Sequence, residues 1–226
     1  DAGDLLVSKL GLTLELFDAP AEVAVLMQQI QTEFPDAESG TAIASALAGR
    51  DIRNRARAAE VALLGQAAPI LTFQWANRTG LSALADLRGS VVVLDFWATS
   101  SRPSIRAFPA IRTLAERYEG RPVVLLSVTR LQGSVSGLGA GPIDTAGDPA
   151  RERELLAAYA RERDLTWTIA VADDPAAFDA FAVSRLPTRV IIDAAGAVPH
   201  AGLSPTEPLA DQAARIDALL AETGAR

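Results

Sequence analysis

Ser101 and Ser104, with two residues between them, occupy the place in this chain where chemistry would be built. They follow a run of apolar, mostly β-branched residues, VVVLDF at 91–96, that reads as a buried strand. The strand gives way at Ala98-Thr99-Ser100, and Pro103 falls in the first turn of a following helix. A helix start points free N–H groups and a partial positive charge at whatever it faces. Two cysteines at this spacing would make a thiol redox site, but the 226-residue chain contains no cysteine. Asp95 adds an acid inside the apolar strand, which costs energy unless the carboxyl is hydrogen-bonded.

The hydroxyls cannot stand in for thiols. Serine forms no disulfide, and a helix dipole worth about 1 kcal/mol cannot ionise a hydroxyl at neutral pH. Met27 carries the only sulfur and sits in an apolar stripe, as core filler. A hydrolytic Ser101 would need a base within reach, and His200 is the one histidine. One histidine and scattered carboxylates give no ligand cluster, so no metal and no cofactor are expected. Gly137, Gly139 and Gly141 lack the Lys-Ser/Thr and helix start of a phosphate cradle, and read as a flexible stretch.

With 28 acidic against 21 basic residues and a net charge of −7, electrostatic binding of nucleic acid is not expected. No apolar run approaches the roughly 18 residues that span a bilayer. Membrane contact is therefore expected only through a partner or a removed anchor. Lys9 is the only lysine, an arginine bias that reads as genomic composition. The chain opens at Asp1 without methionine, the start expected of a processed or trimmed product.

The elements that would position the serines can be followed along the chain. Residues 1–66 read as a helical N-terminal extension. Asp18 before Pro20 is a helix start, and Val23, Leu26, Met27, Ile30 and Phe34 share one face until Pro35. Further helices are expected from Ser39 and over 52–64, then a short linker at 65–69. Strands are predicted at 71–75, 91–97, 123–128, 167–171 and 189–192, the last returning through Val198. Ser82 caps a short helical turn, and helices follow over 103–118 with a kink at Pro109, 148–163, 174–182 and from Ser204. Residues 131–149, rich in Gly, Ser and Pro, read as a long exposed loop. The order is that of an α/β domain with a parallel βαβ unit and an antiparallel edge hairpin.

Two strings then stand out in the right order. Residues 87–99, LRGSVVVLDFWAT, and 183–193, VSRLPTRVIID, resemble thioredoxin-fold proteins of the TlpA type, grouped with the AhpC/TSA redoxins. In that family the first string runs into x-C-x-P-C, where this chain has Ser100-Ser101-Arg102-Pro103-Ser104. The second is similar to V-x-x-x-P-T-x-x-x-I-D, whose proline is cis and faces the active site. The resemblance covers about residues 67–222. It implies a thioredoxin-like fold, a central mixed sheet flanked by helices over 67–226, with 1–66 outside it and 131–149 as an insertion.

The resemblance also implies roles. Ser101 matches the attacking cysteine and Ser104 the resolving one, while Asp95 matches the buried acid that helps move the resolving proton. The backbone at Leu186 and Pro187 matches the edge that pairs with an extended substrate. Trp97, Arg102, Pro103 and Arg185 complete the expected groove, with Arg106 and Arg189 in an arginine fringe that is either solvated or binds carboxylates. His200 follows the C-terminal hairpin at the sheet edge and reads as a surface histidine, not a base for Ser101. The resulting expectation is a redox-inactive domain that serves as a protein-binding or structural subunit of a larger exported or membrane-associated complex. Its protein partners would meet the Ser101/Pro187 groove and the N-terminal helices. The alternative is a TlpA-type thiol–disulfide oxidoreductase whose C-x-x-C is present here as a Ser101/Ser104 variant. A periplasmic or otherwise exported location is implied by either.

Overall fold

The computed structural model describes residue 9 and residues 20–33, 52–204 and 206–222. The chain divides into two compact units, Asp1–Ala58 and Ala59–Arg226. In the first, α1 (Pro20–Glu33) buries Leu26 and Ile30 on one face, as the periodicity predicts. The helix expected from Ser39 lies outside the described residues, as does Phe34. Residues 52–63 form α2.

The second unit runs β1 (Phe73–Ala76), a 3-10 turn (Leu84–Leu87), β2 (Val91–Phe96), α3 (Arg102–Arg117) and β3 (Val123–Thr129). It continues through β4 (Ser134–Val135), β5 (Ile143–Asp144), α4 (Pro149–Glu162), β6 (Thr168–Ala172) and α5 (Ala177–Ala180). β7 (Thr188–Ile192), β8 (His200–Leu203) and α6 (Leu209–Glu222) complete it. The main sheet has the order β1-β6-β3-β2-β7-β8, and β4 pairs with β5 in a separate hairpin. β2, β3, β6 and the edge strand β8 run in one direction, while β1 and β7 run against them.

The unbroken apolar run of β2 follows from its place in the centre, where both faces are covered. Val91, Val93 and Trp97 pack with residues of α3, α4 and α6, among them Phe108, Ile111, Tyr159, Ile216 and Leu220. Val92, Leu94 and Phe96 pack on the opposite face with Leu84, Leu87, Phe178 and Phe181. The two-residue period puts Asp95 on the α3 and α6 side. A slip of one residue would exchange every one of these faces, at about 1.5–3 kcal/mol for each large side chain misplaced.

Four local expectations are corrected. The stretch 65–69 is not a free linker: Gly65 N donates to Val198 O (2.8 Å), Val198 N to Gln66 O (2.9 Å) and Ala68 N to Gly196 O (2.9 Å). Val198 is taken up by that pairing, so the return strand forms later, as β8. Residues 131–149 are not simply an exposed loop, because they contain the β4–β5 hairpin with Val135 fully buried. Strands of two residues are too short to leave a periodic signature. The helix expected over 174–182 is confined to α5, and Ala182 just beyond it takes a left-handed backbone with φ 56°.

Candidate functional site

Sheet topology brings the predicted residues to one end. β2 and β3 end there together, and β7 begins there, since Phe96 pairs with Val128 on one side and Thr188 on the other. The turn at 97–101, the start of α3 and the loop before Thr188 therefore converge.

Ser101 caps α3 from an extended backbone. Its Oγ accepts from Ser104 N at 3.3 Å and donates to Leu186 O at 3.3 Å, tying the helix start to the loop opposite. The Leu186–Pro187 peptide is cis, as the resemblance implies, and Pro187 is buried with Leu186 half-buried. Ser104 is fully buried and its Oγ has no hydrogen-bond partner. Trp97 is buried between Phe108, edge-on at 5.3 Å, and Tyr159 at 5.7 Å, so it is a wall of the core and not a contact surface. Arg102, Pro103, Arg106 and Arg185 are exposed around the Ser101 end.

Arg189 is not part of that fringe. It is 1% exposed, and its Nε donates to Asp95 Oδ1 at 2.9 Å while Nη1 donates to Gln212 Oε1 at 2.8 Å. Thr188 and Arg189 alternate across the sheet, so the residue next in line after Thr188 must face α6. Burial pushes the Asp95 carboxyl's pKa up, and the Arg189 charge with hydrogen bonding from Arg189 and Ser127 draws it back. An arginine does not give up its proton, so an ionised Asp95 is the state that leaves no uncompensated buried charge.

Sequence reasoning missed the insertion's grip on the site. Glu152 on α4, 2% exposed, accepts from Gln132 N (2.7 Å), Gly133 N (3.0 Å) and Thr145 Oγ1 (2.8 Å). The hairpin so held reaches the site turn: Ser136 N donates to Thr99 Oγ1 at 3.1 Å, and Ser100 Oγ to Gln132 Oε1 at 3.0 Å. The only local signal was Asp148-Pro149, which starts α4 as expected, with Asp148 capping Arg151 N. Gln212, the far anchor of Arg189, carried no signal at all.

Among the described residues the hydrogen-bond partners of Ser101 Oγ are backbone groups, Leu186 O and Ser104 N. His200 is half-buried in the edge strand β8, opposite Ile191, which itself pairs with Val93 and so lies well below the site end. No group of three or more metal-ligating side chains occurs among the described residues. An apolar pocket between Leu84, Leu87 and Ile192 opens at the opposite end of the sheet.

No family profile and no curated protein matches the sequence. Solved structures do. A protein described as a thiol–disulfide oxidoreductase from Bacteroides vulgatus superposes with a TM-score of 0.52 at 24% identity, covering 70% of this chain and 97% of that one. The thioredoxin-like superfamily protein SPOA0173 gives 0.52 at 22%, over 68% and 96%. A thiol:disulfide interchange protein from Bacteroides sp. gives 0.53 at 13%, over 68% and 90%. The fold is thioredoxin-like. The proteins it is similar to are thiol–disulfide oxidoreductases and thioredoxin-like proteins, whereas this chain holds no thiol.

Proposed function

We propose that the chain is a redox-inactive, thioredoxin-like binding domain that engages partner proteins between the Ser101 end of α3 and the Leu186–Pro187 loop. The observation that carries this is the Asp95–Arg189 pair. The acid matched to the proton acceptor of the TlpA-type proteins is here committed to a buried arginine, itself held by Gln212. Loss of both thiols and loss of a free acid act together, as expected of a site no longer used for exchange. The groove suits binding: among the described residues no backbone hydrogen bond engages Leu186 N–H, so it can receive an extended segment. The proposal extends to a subunit role in a larger exported assembly, supported by the likeness to thiol:disulfide interchange proteins. Among the described residues no helix is long and apolar enough to cross a membrane.

One observation favours the second reading, an oxidoreductase present as a Ser101/Ser104 variant. Ser101 is half-buried at the surface and Ser104 is 0% exposed, the asymmetry expected of attacking and resolving thiols. The double variant Ser101→Cys, Ser104→Cys separates the two. The binding reading expects a folded protein whose reduction of a model disulfide is on the order of 10²-fold slower than that of an active thioredoxin-fold enzyme run alongside. Turnover equal to that enzyme would establish the oxidoreductase instead.

A further inference from the structure

We infer that the groove at Ser101 and Leu186 takes an acidic, extended peptide segment, gripped by Arg102, Arg106, Arg130 and Arg185. The inference rests on the binding reading above and adds the chemistry of the partner.

The chain as a whole is acidic, with net charge −7, yet four exposed arginines lie on the elements that converge at this end of the sheet. Arg102 and Arg106 lie one turn apart on the exposed side of α3. Arg130 follows directly on β3 and stacks over the Phe178 ring at 5.0 Å, which fixes its place. Arg185 stands two residues before Pro187, in a loop held by Thr188 Oγ1 donating to Arg185 O at 2.7 Å. Several arginines elsewhere are committed to carboxylates: Arg117 and Arg121 to Asp217, Arg151 to Glu154, Arg215 to Glu207 and Arg189 to Asp95. The four at the groove make no ion pair among the described residues.

The acids nearby bound this strip without filling it. Asp173 and Asp174 follow β6, one strand beyond β3. Glu207, which precedes α6, is already held by Arg215. The basic strip therefore lies over the ends of β3, β2 and β7. Three neighbouring strands span about 10 Å, at about 4.8 Å each. An extended chain covers that in about three residues, so carboxylates at alternate positions would meet the strip. The start of α3 adds positive potential at the same place.

The test uses the full chain and two labelled peptides, Gly-Val-Glu-Val-Glu-Val-Gly and its counterpart with both glutamates replaced by glutamine, followed by fluorescence anisotropy. The glutamate peptide is expected to bind at least about tenfold more tightly at about 20 mM salt, with the preference shrinking at about 200 mM. Arg102→Glu combined with Arg185→Glu should abolish the preference, whereas Arg78→Glu, an exposed arginine at the far end of the sheet, should leave it intact. Equal affinity for both peptides, with the Leu186 amide resonance shifting in each case, would overturn the acidic partner and leave the groove reading standing. Binding of neither peptide would overturn both, and so would binding to anionic lipid vesicles without binding to the peptide.

Discussion

Ser101 Oγ makes two hydrogen bonds, while Ser104 Oγ, three residues on, is buried with none. The two hydroxyls should therefore respond oppositely to removal. Ser101→Ala loses a helix cap and should destabilise by about 1 kcal/mol. Ser104→Ala removes an unsatisfied buried group and should be neutral or stabilising by up to about 1 kcal/mol. Chemical denaturation of the two variants reads the difference. Arg189 is the larger determinant. Arg189→Met strands Asp95 as an unpaired buried acid and should cost roughly 3–5 kcal/mol, much of it recovered when Asp95→Leu is added. A double-mutant cycle measures that recovery, and no recovery would disprove the pairing. The titration signs follow from the environments. Burial, then the charge of Arg215, pushes the pKa of His200 below its ordinary 6.5. Below that value the unfolded chain takes a proton that the folded chain refuses. The His200 contribution is thus fully present above pH 6.5 and lost as pH falls, and His200→Gln should flatten that limb of a stability–pH profile. Asp95 acts in the other sense: its raised pKa lets the folded chain keep a proton above the ordinary 3.8, so its contribution declines as pH rises through that window.

At the scale of elements, the β4–β5 hairpin is gripped by a buried carboxylate. Glu152 satisfies two backbone N–H groups and a buried hydroxyl in one stroke. Without it the hairpin keeps its two-residue ladder, the Thr145 N to Gly133 O bond at 2.9 Å, the Ser136 N to Thr99 Oγ1 bond and the burial of Val135. Glu152→Ala should destabilise by at least about 2 kcal/mol, since each buried donor left unpaired costs about 1–3 kcal/mol. Hydrogen exchange gives a sharper reading: the Gln132 and Gly133 amides should lose protection well before those of β2 or β3. Uniform loss across the sheet would mean that the hairpin is not a separate unit. Because Ser136 and Gln132 touch Thr99 and Ser100, loosening the hairpin should also loosen the turn that presents Ser101.

For the whole molecule, the question is where the thioredoxin-like unit begins. Gly65, Gln66 and Ala68 are bonded to Gly196 and Val198, and Leu63 packs against the face that holds Leu71 and Phe96. A chain beginning at residue 59 should therefore unfold cooperatively near the full protein's midpoint. One beginning at residue 70 loses three backbone hydrogen bonds and this packing, and should be less stable by about 3 kcal/mol. Thermal or denaturant melts of the two compare directly. Equal stability would show that residues 59–69 are dispensable.

Several features were legible because they depend only on neighbours along the chain. The apolar run of β2, the helix starts at Pro103 and at Asp148-Pro149, and the βαβ order all appear in the structure within a residue or two. The absence of a thiol was complete from composition alone. Other features required the fold. Arg189 meets Asp95 across 94 residues and Gln212 across 23, and Glu152 reaches back 19 residues to Gly133. No periodicity encodes such meetings, because they are set by strand register and by which helix covers which face. The sequence determined that the site holds two serines and no thiol; the tertiary structure decided that its acid is locked to an arginine. Burial is a property of the folded sheet, and only burial turns Arg189 from one more surface cation into the partner of Asp95.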